Sequence, residues 1–299
     1  MKRILLVLFI FVLFIMSVQL VVHAWLSIPA PRYAVFKGLQ FETIAHQGGA
    51  GVSPPNTVTA MRAALAAGSD VLEIDIRQSR DGHIMVIHDQ TLDRTTSCTG
   101  RVKDRTLAEL QECDKGYHFK SGKDSLYPFR DIGIKIPTLT EVFRAFPDQR
   151  MIIEIKQSEP SLVQEFCQQI RAFDMQDYLV IGSFRQKPMD EFRKTCPEVA
   201  TSATPKEVTL FVFADKFGLS SIISPVYAAL QIPPVQKLPF LPDINVATPS
   251  TVAQAHAKGV VVQVWTINDA QQMKSLLKMG VDGIMTDYPA RLVAIVSQQ

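Results

Sequence analysis

Two histidines, three carboxylates and a lysine define the chemistry open to this chain. His46 stands in Ala45-His46-Gln47-Gly48-Gly49, Glu73 and Asp75 in Leu72-Glu73-Ile74-Asp75, His88 in Ile87-His88-Asp89, and Glu154 and Lys156 in Ile153-Glu154-Ile155-Lys156. The two-residue period of a strand puts Glu73 and Asp75 on one face and repeats the arrangement for Glu154 and Lys156. Carboxylates on apolar strands must be paired or hold a cation, because an unpaired buried charge is costly. Converging oxygen donors without a thiolate favour a hard divalent ion, Mg²⁺ or Ca²⁺, over Zn²⁺. The competing reading is a Glu154–Lys156 ion pair with solvated carboxylates at a rim. A lone histidine after a strand is usually structural, but two beside a carboxylate cluster can take a proton from an attacking oxygen and give one to a leaving oxygen. His23, His83, His118 and His256 lack such company and receive no role.

The elements that must position these residues follow a βα rhythm from Phe41 onward. Eight strands are predicted over 43–46, 71–76, 151–156, 178–183, 199–203, 229–232, 260–266 and 283–286. Helices are predicted over 57–67, 139–146, 161–173, 188–196, 205–217, 249–258 and 270–279, several opened by Ser, Thr or Pro and closed by Gly. The run 84–88 follows the second strand too closely for a parallel crossover, so it reads as the returning arm of a hairpin turning at Asp81-Gly82. Eight parallel strands with intervening helices imply an α/β fold of the TIM-type (β/α)8 barrel, whose functional residues gather at the carboxyl ends of the strands. All the candidates obey this, as do Ser183, Trp265 and Asp287. Trp265 reads either as an aromatic wall for a substrate or as ordinary packing, and Asp287 as a helix cap in preference to a site partner. Residues 93–135 break the rhythm and read as a small inserted subdomain over the barrel mouth.

The amino terminus differs in kind. After Lys2-Arg3, residues 4–26 are apolar except for Ser17, Gln19 and His23, long enough to cross a hydrocarbon core of roughly 30 Å. A transmembrane signal anchor over 1–26 is preferred to a cleaved signal peptide ending near Val22-His23-Ala24, with 27–40 as a linker and 41–299 as the barrel. A weak positive-inside bias places the barrel on the non-cytoplasmic side. The 299 residues are 47% hydrophobic, ample for a core, and a formal charge of +2 gives no reason to expect a nucleic-acid partner. The four cysteines show no metal-ligand spacing; disulfide pairing and free structural thiols both remain open.

The motifs above, together with Pro55-Asn56-Thr57, Thr91-Leu92-Asp93-Arg94-Thr95 and Val264-Trp265-Thr266-Ile267-Asn268, resemble the glycerophosphodiester phosphodiesterase family over about residues 42 to 294. The resemblance implies a TIM barrel, a divalent cation, and cleavage of glycerophosphodiesters to an alcohol and glycerol 3-phosphate. It implies His46 and His88 as the acid/base pair, Glu73, Asp75 and Glu154 as metal ligands, and Lys156 as a phosphate contact. The family usually has Arg after its first histidine and Glu before the Asn-Thr pair; here these are Gln47 and Pro55, a change that looks compensated because neither charge is left unpaired. Gln47 can still donate a hydrogen bond to a phosphate oxygen, and Gly48-Gly49 would allow close backbone approach to it. Two other functions compete: a membrane-anchored lysophospholipase D using the same centre, and a non-catalytic lipid-headgroup-binding module.

Overall fold

The computed structural model describes residues 9–15, 17, 28–120, 126–238 and 241–298. Its centre is a ring of parallel strands: β1 (Glu42–Ala45), β2 (Val71–Gln78), β4 (Met151–Ile155), β5 (Leu179–Gly182), β6 (Ala200–Thr201), β7 (Ala229–Ile232), β10 (Val261–Val264) and β11 (Gly283–Thr286). They pair in the order β6-β5-β4-β2-β1-β11-β10-β7. A parallel bridge from Ser202 to Ala229 joins the two ends. This is the expected TIM-type barrel. β6, the fifth strand of the ring in chain order, spans only two residues, which pair with β5.

The predicted hairpin is present: β3 (Ile84–Val86) returns antiparallel to β2, with Ile76 opposite Val86. A second hairpin, β8 (Val235–Leu238) and β9 (Leu241–Asn245), stands outside the ring. It was not foreseen, since Pro233, Pro234 and Pro242 hide any alternating pattern.

Helices cover the outer face of the ring, and threonine caps start several of them at the carboxyl ends of the strands. Thr57, Thr138, Thr204 and Thr248 each accept a hydrogen bond from the first helical turn of α1 (Val58–Ala66), α3 (Leu139–Ala145), α6 (Pro205–Lys216) and α7 (Pro249–Ala257). Between them α4 (Val163–Ala172) turns Phe166, Cys167 and Ile170 toward the strands, while α5 (Gln186–Thr195) contributes Phe192. Fully burying a side chain of this size contributes about 1.5–3 kcal/mol. A last helix, Pro289–Val296, was missed because it follows the final strand almost directly. The insertion holds a short helix, α2 (Leu107–Gln111), and its own apolar cluster around Leu92, Val102, Leu110 and Ile136. All four cysteines pair, as Cys98–Cys113 within the insertion and Cys167–Cys196 between α4 and the end of α5.

The amino-terminal expectations fare differently. Of the expected span, 9–15 and 17 are helical and exposed, and the remainder lies outside the described residues. Among the described residues no helix is long and apolar enough to cross a membrane, so the transmembrane helix finds no support in the fold. Residues 28–40 are more than a linker: the Ala30 amide donates to the Lys258 carbonyl at 2.7 Å, and Val35 is buried against Val71, Ile152 and Val180. The chain thus enters at the amino ends of the strands, opposite the mouth.

Candidate active site

Strand register carries the site. Asp75 lies opposite Glu154 across the β2–β4 pair, so their side chains reach the mouth at one level. Ala45 lies opposite Leu72 on one side and Thr286 on the other. One step further along each strand therefore sets His46 beside Glu73 and Asp287. The β2–β3 hairpin completes the set, because the Ile87 amide donates to the Asp75 carbonyl at 2.8 Å and leaves His88 over the carboxylates.

Ligand oxygens of Glu73, Asp75 and Glu154 lie within 4.8 Å of one another. Glu73 and Asp75 are buried, and each is held by the loop that follows β1. The Gln47 amide donates to Glu73 Oε2 at 2.7 Å, while the Asn56 side chain brackets Asp75, donating to Oδ2 at 2.9 Å and accepting from its backbone amide at 3.0 Å. Lys156 Nζ spans the other side, 2.7 Å from Glu154 Oε2 and 3.2 Å from Asp75 Oδ1. Burial above all, then the charge of Asp75, pushes Glu73 up to about 8; burial likewise lifts Glu154 to about 6 against the pull of Lys156. Carboxylates crowded so closely that one resists ionising are a donor set short of positive charge. An all-oxygen set of this size suits Mg²⁺ or Ca²⁺, so the residues fit the divalent ion that the sequence implies.

Both histidines are tethered through Nδ1 to a carboxylate. His46 Nδ1 lies 2.7 Å from Asp287 Oδ1, and its Nε2 lies 4.0 Å from Glu73 Oε2. Burial alone would push the imidazolium down, but the Asp287 hydrogen bond and the charges of Glu73, Asp287 and Asp75 outweigh it and raise His46 to about 9. His88 Nδ1 lies 2.7 Å from Asp89 Oδ1, and Asp89 is clamped by Arg94 at 2.6 and 3.0 Å. Although burial opposes it, the bonds from Arg94 and His88 hold Asp89 down at about 2. Arg77 fixes the strand end by donating to the His88 carbonyl at 2.8 Å.

Two expectations are corrected here. Asp287 caps no helix: its Oδ1 meets His46 and its Oδ2 accepts from Asn268 at 2.6 Å. A carboxylate beside an imidazole and an amide is better satisfied there than at a helix start, and the helix after it has no side-chain cap. Gly48 and Gly49 serve packing more than ligand approach. Gly48 has φ 76°, and a Cβ there would come within 3.2 Å of Met61 on α1. Gln47 itself is buried, with φ 49°, a left-handed conformation held by its amide bond to Glu73 and by the Asn56 amide on its carbonyl at 2.8 Å. Its contribution is thus through the backbone, and its side chain is not among those lining the cavity.

His46, Glu73, His88, Glu154, Lys156 and Trp265 line one cavity of about 610 Å³ at the mouth, and Asp75 lies directly behind them. The Trp265 indole forms part of the wall, in edge contact with Phe184 at 5.5 Å between ring centroids. Sequence reasoning passed over Phe184, Asn56, Asp89, Arg94 and Asn268 as functional residues. Asp89 carries a signal as an acid next to a histidine, and Asn56, Arg94 and Asn268 lie within the motifs of the family resemblance; their individual partners, Asp75, Asp89 and Asp287, emerge only from the fold.

Residues 46–291 match the Glycerophosphoryl diester phosphodiesterase family. A glycerophosphodiester phosphodiesterase of Caldanaerobacter subterraneus subsp. tengcongensis is 30% identical over 261 residues, which covers 85% of this chain and 96% of that protein. A lysophospholipase D of Mus musculus is 26% identical, covering 83% of this chain and 84% of that one. Among solved structures, a glycerophosphoryl diester phosphodiesterase domain from Mycobacterium tuberculosis superposes with a TM-score of 0.76 at 18% identity, covering 87% of this chain and all of that one. A phosphodiesterase of Oleispira antarctica, in complex with its product sn-glycerol-3-phosphate, does so at 0.68 and 24%, covering 89% of this chain and 100% of that one. With two histidines and three carboxylates converging at the mouth of its barrel, and matched over residues 46–291, this chain belongs to the glycerophosphoryl diester phosphodiesterase family.

Proposed function

We propose that the protein hydrolyses glycerophosphodiesters to an alcohol and sn-glycerol 3-phosphate, with a divalent cation, Mg²⁺ or Ca²⁺, held by Glu73, Asp75 and Glu154 and with His46 and His88 exchanging protons. The observation that carries this reading is the shared cavity: both histidines, each tied through Nδ1 to a carboxylate, face the same space as Glu73, Glu154 and Lys156. When bound, the cation would polarise the phosphoryl group and offset its developing charge. Lys156 contributes a fixed ammonium beside the carboxylates, positioned to meet a phosphate oxygen. His46, whose protonated form the Asp287 hydrogen bond favours, suits the donor that hands a proton to the leaving alcohol. His88 takes the proton from the attacking water, or first from the glycerol 2-hydroxyl, in which case water opens the resulting cyclic phosphodiester in a second step.

The test is turnover of glycerophosphocholine with Mg²⁺, Ca²⁺ or EDTA, on the wild type and on His46→Ala and His88→Ala. Chelation should bring turnover to background. Each substitution should lower it by about 10²- to 10⁴-fold while calorimetric metal binding is retained. Near-normal turnover in both variants would remove the histidines from the mechanism.

A second reading, hydrolysis of lysophospholipids, is supported by the apolar character of half the cavity. We further propose that the barrel works on the non-cytoplasmic side of a membrane to which residues 4–26 attach it. The pairing of all four cysteines supports an oxidising compartment. A periplasm- or lumen-dependent reporter fused after residue 299 would be silent if the barrel stays in the cytoplasm.

A further inference from the structure

The cavity has two chemically different halves. Ring order places β1, β2, β4 and β11 on one side, with every charged group of the site, and β5, β6, β7 and β10 on the other. Over this second side Phe184, Val208, Val212, Phe213, Ile244 and Trp265 form an apolar stretch of the lining, beside the polar Ser202, Thr209, Gln231 and Gln236. These come from the turn after β5, the helix α6, the β8–β9 hairpin and the end of β10. Ile244 and, two residues on, Val246 bring the β8–β9 hairpin and the turn after it into the lining.

The path of α6 makes this half possible. Asp215, near its end, still bonds Ser250 at 2.6 Å and Thr251 at 3.1 Å, in the first turn of α7, which starts at the mouth. The helix therefore runs along the rim instead of down the barrel wall. Its central sequence Val208-Thr209-Leu210-Phe211-Val212-Phe213 is apolar on nearly every side. Phe211 packs inward, Val212 and Phe213 reach the cavity, and Phe213 is also 50% exposed. A rim helix with apolar residues turned both to its own core and to an open cavity leaves that cavity wall unpaid by protein packing.

Phe184 sits where the halves meet. Its ring lies 5.6 Å from Lys156 Nζ and 5.5 Å from the Trp265 ring. A phosphate at Lys156 would thus have an aromatic pair at its edge and an aliphatic groove beyond.

Resting on the hydrolytic reading above, we propose that this groove seats one aliphatic chain covalently attached to the diester, and that Val212, Phe213 and Ile244 determine the chain length accepted. The chain belongs either to an acylated glycerol or to the leaving alcohol; in both cases it continues from the phosphate past Phe184 and Trp265. The groove is continuous with the catalytic cavity, so the occupant must be part of the substrate and not a separate partner.

The test uses the full chain and a series of alkylphosphocholines from butyl to dodecyl, kept below their micellar concentrations. These lack glycerol and serve as ligands, read by calorimetry and by competition against glycerophosphocholine. Affinity should rise by up to about fourfold per added methylene until the groove is filled. Phe213→Gln and Ile244→Gln should flatten that dependence, and Val212→Trp should cut it off at a shorter chain; thermal melts report whether each variant folds. Comparing kcat/KM for 1-acyl-glycerophosphocholines with that for glycerophosphoalkanols shows which side of the phosphate bears the chain. Affinity independent of chain length, or a dependence unchanged in all three variants, overturns the proposal. Uptake of detergent by the amino-terminal segment would be unaffected by these substitutions and is so distinguished. Calorimetric chain-length dependence without any diester hydrolysis would sustain the groove and defeat the hydrolytic reading; hydrolysis without the dependence would do the reverse.

Discussion

The two halves of the barrel mouth are built by opposite means. On the charged half, every functional side chain leaves a barrel strand or the hairpin folded onto it, and each is pinned by a second polar group: Asp287 on His46, Asn56 on Asp75, Gln47 on Glu73, Asp89 with Arg94 on His88. On the apolar half the outer walls come from a rim helix and a hairpin outside the ring, and Val208, Val212, Phe213 and Ile244 line them without a polar partner of their own side chains. Desolvated charges demand fixed partners, whereas an apolar wall tolerates exchange of one hydrophobic residue for another of similar volume. On the hydrolytic reading and the groove proposed above, chemistry would fall to the pinned half and chain selectivity to the adaptable one.

Breaking the charged half at its tethers should have the largest effect. Asp287→Asn keeps the shape but loses the charge that orients and charges His46, and kcat for glycerophosphocholine should fall by about 10²-fold or more. In the same variant the His46 pKa, raised to about 9, should drop toward its ordinary value, visible in histidine NMR. An unchanged titration would mean that Asp287 does not govern the ring.

Lys115, buried in the insertion behind this half, offers an intermediate effect that concerns stability. Burial, and after it the charge of Arg94, holds its ammonium down at about 7. The unfolded chain, with an ordinary lysine near 10.4, binds more protons between those values, so stability should rise with pH from about 7 to about 10, by at most about 1.4 kcal/mol per unit. Denaturant melts of Lys115→Met should show that slope reduced and greater stability at neutral pH; an identical slope would place the lysine in water.

The smallest effect should come from Arg94→Ala. Its guanidinium is largely exposed although Asp89 is not, so stability should change by only about 1 kcal/mol. Loss of the clamp should lower kcat modestly, about tenfold or less, with KM little altered. A loss as large as that of His88→Ala would show that Arg94 touches the substrate.

Much of this protein was determined by the sequence alone. The two-residue alternation in Leu72-Glu73-Ile74-Asp75 and Ile153-Glu154-Ile155-Lys156 specified which side chains share a face, and the short Asp81-Gly82 connection required an antiparallel return for His88, because a parallel crossover needs a longer chain. Periodicity and turn length are local properties, so they survive without coordinates. Tertiary structure alone decided the rest. Asp287 became the partner of His46 only through the β1–β11 register, and Asn56 the holder of Asp75 only through the loop that crosses β2. The apolar groove arose from α6 lying along the rim and from a hairpin whose prolines conceal it. Such pairings join residues separated by up to 241 positions, and they depend on ring closure, to which no local pattern in the chain is sensitive.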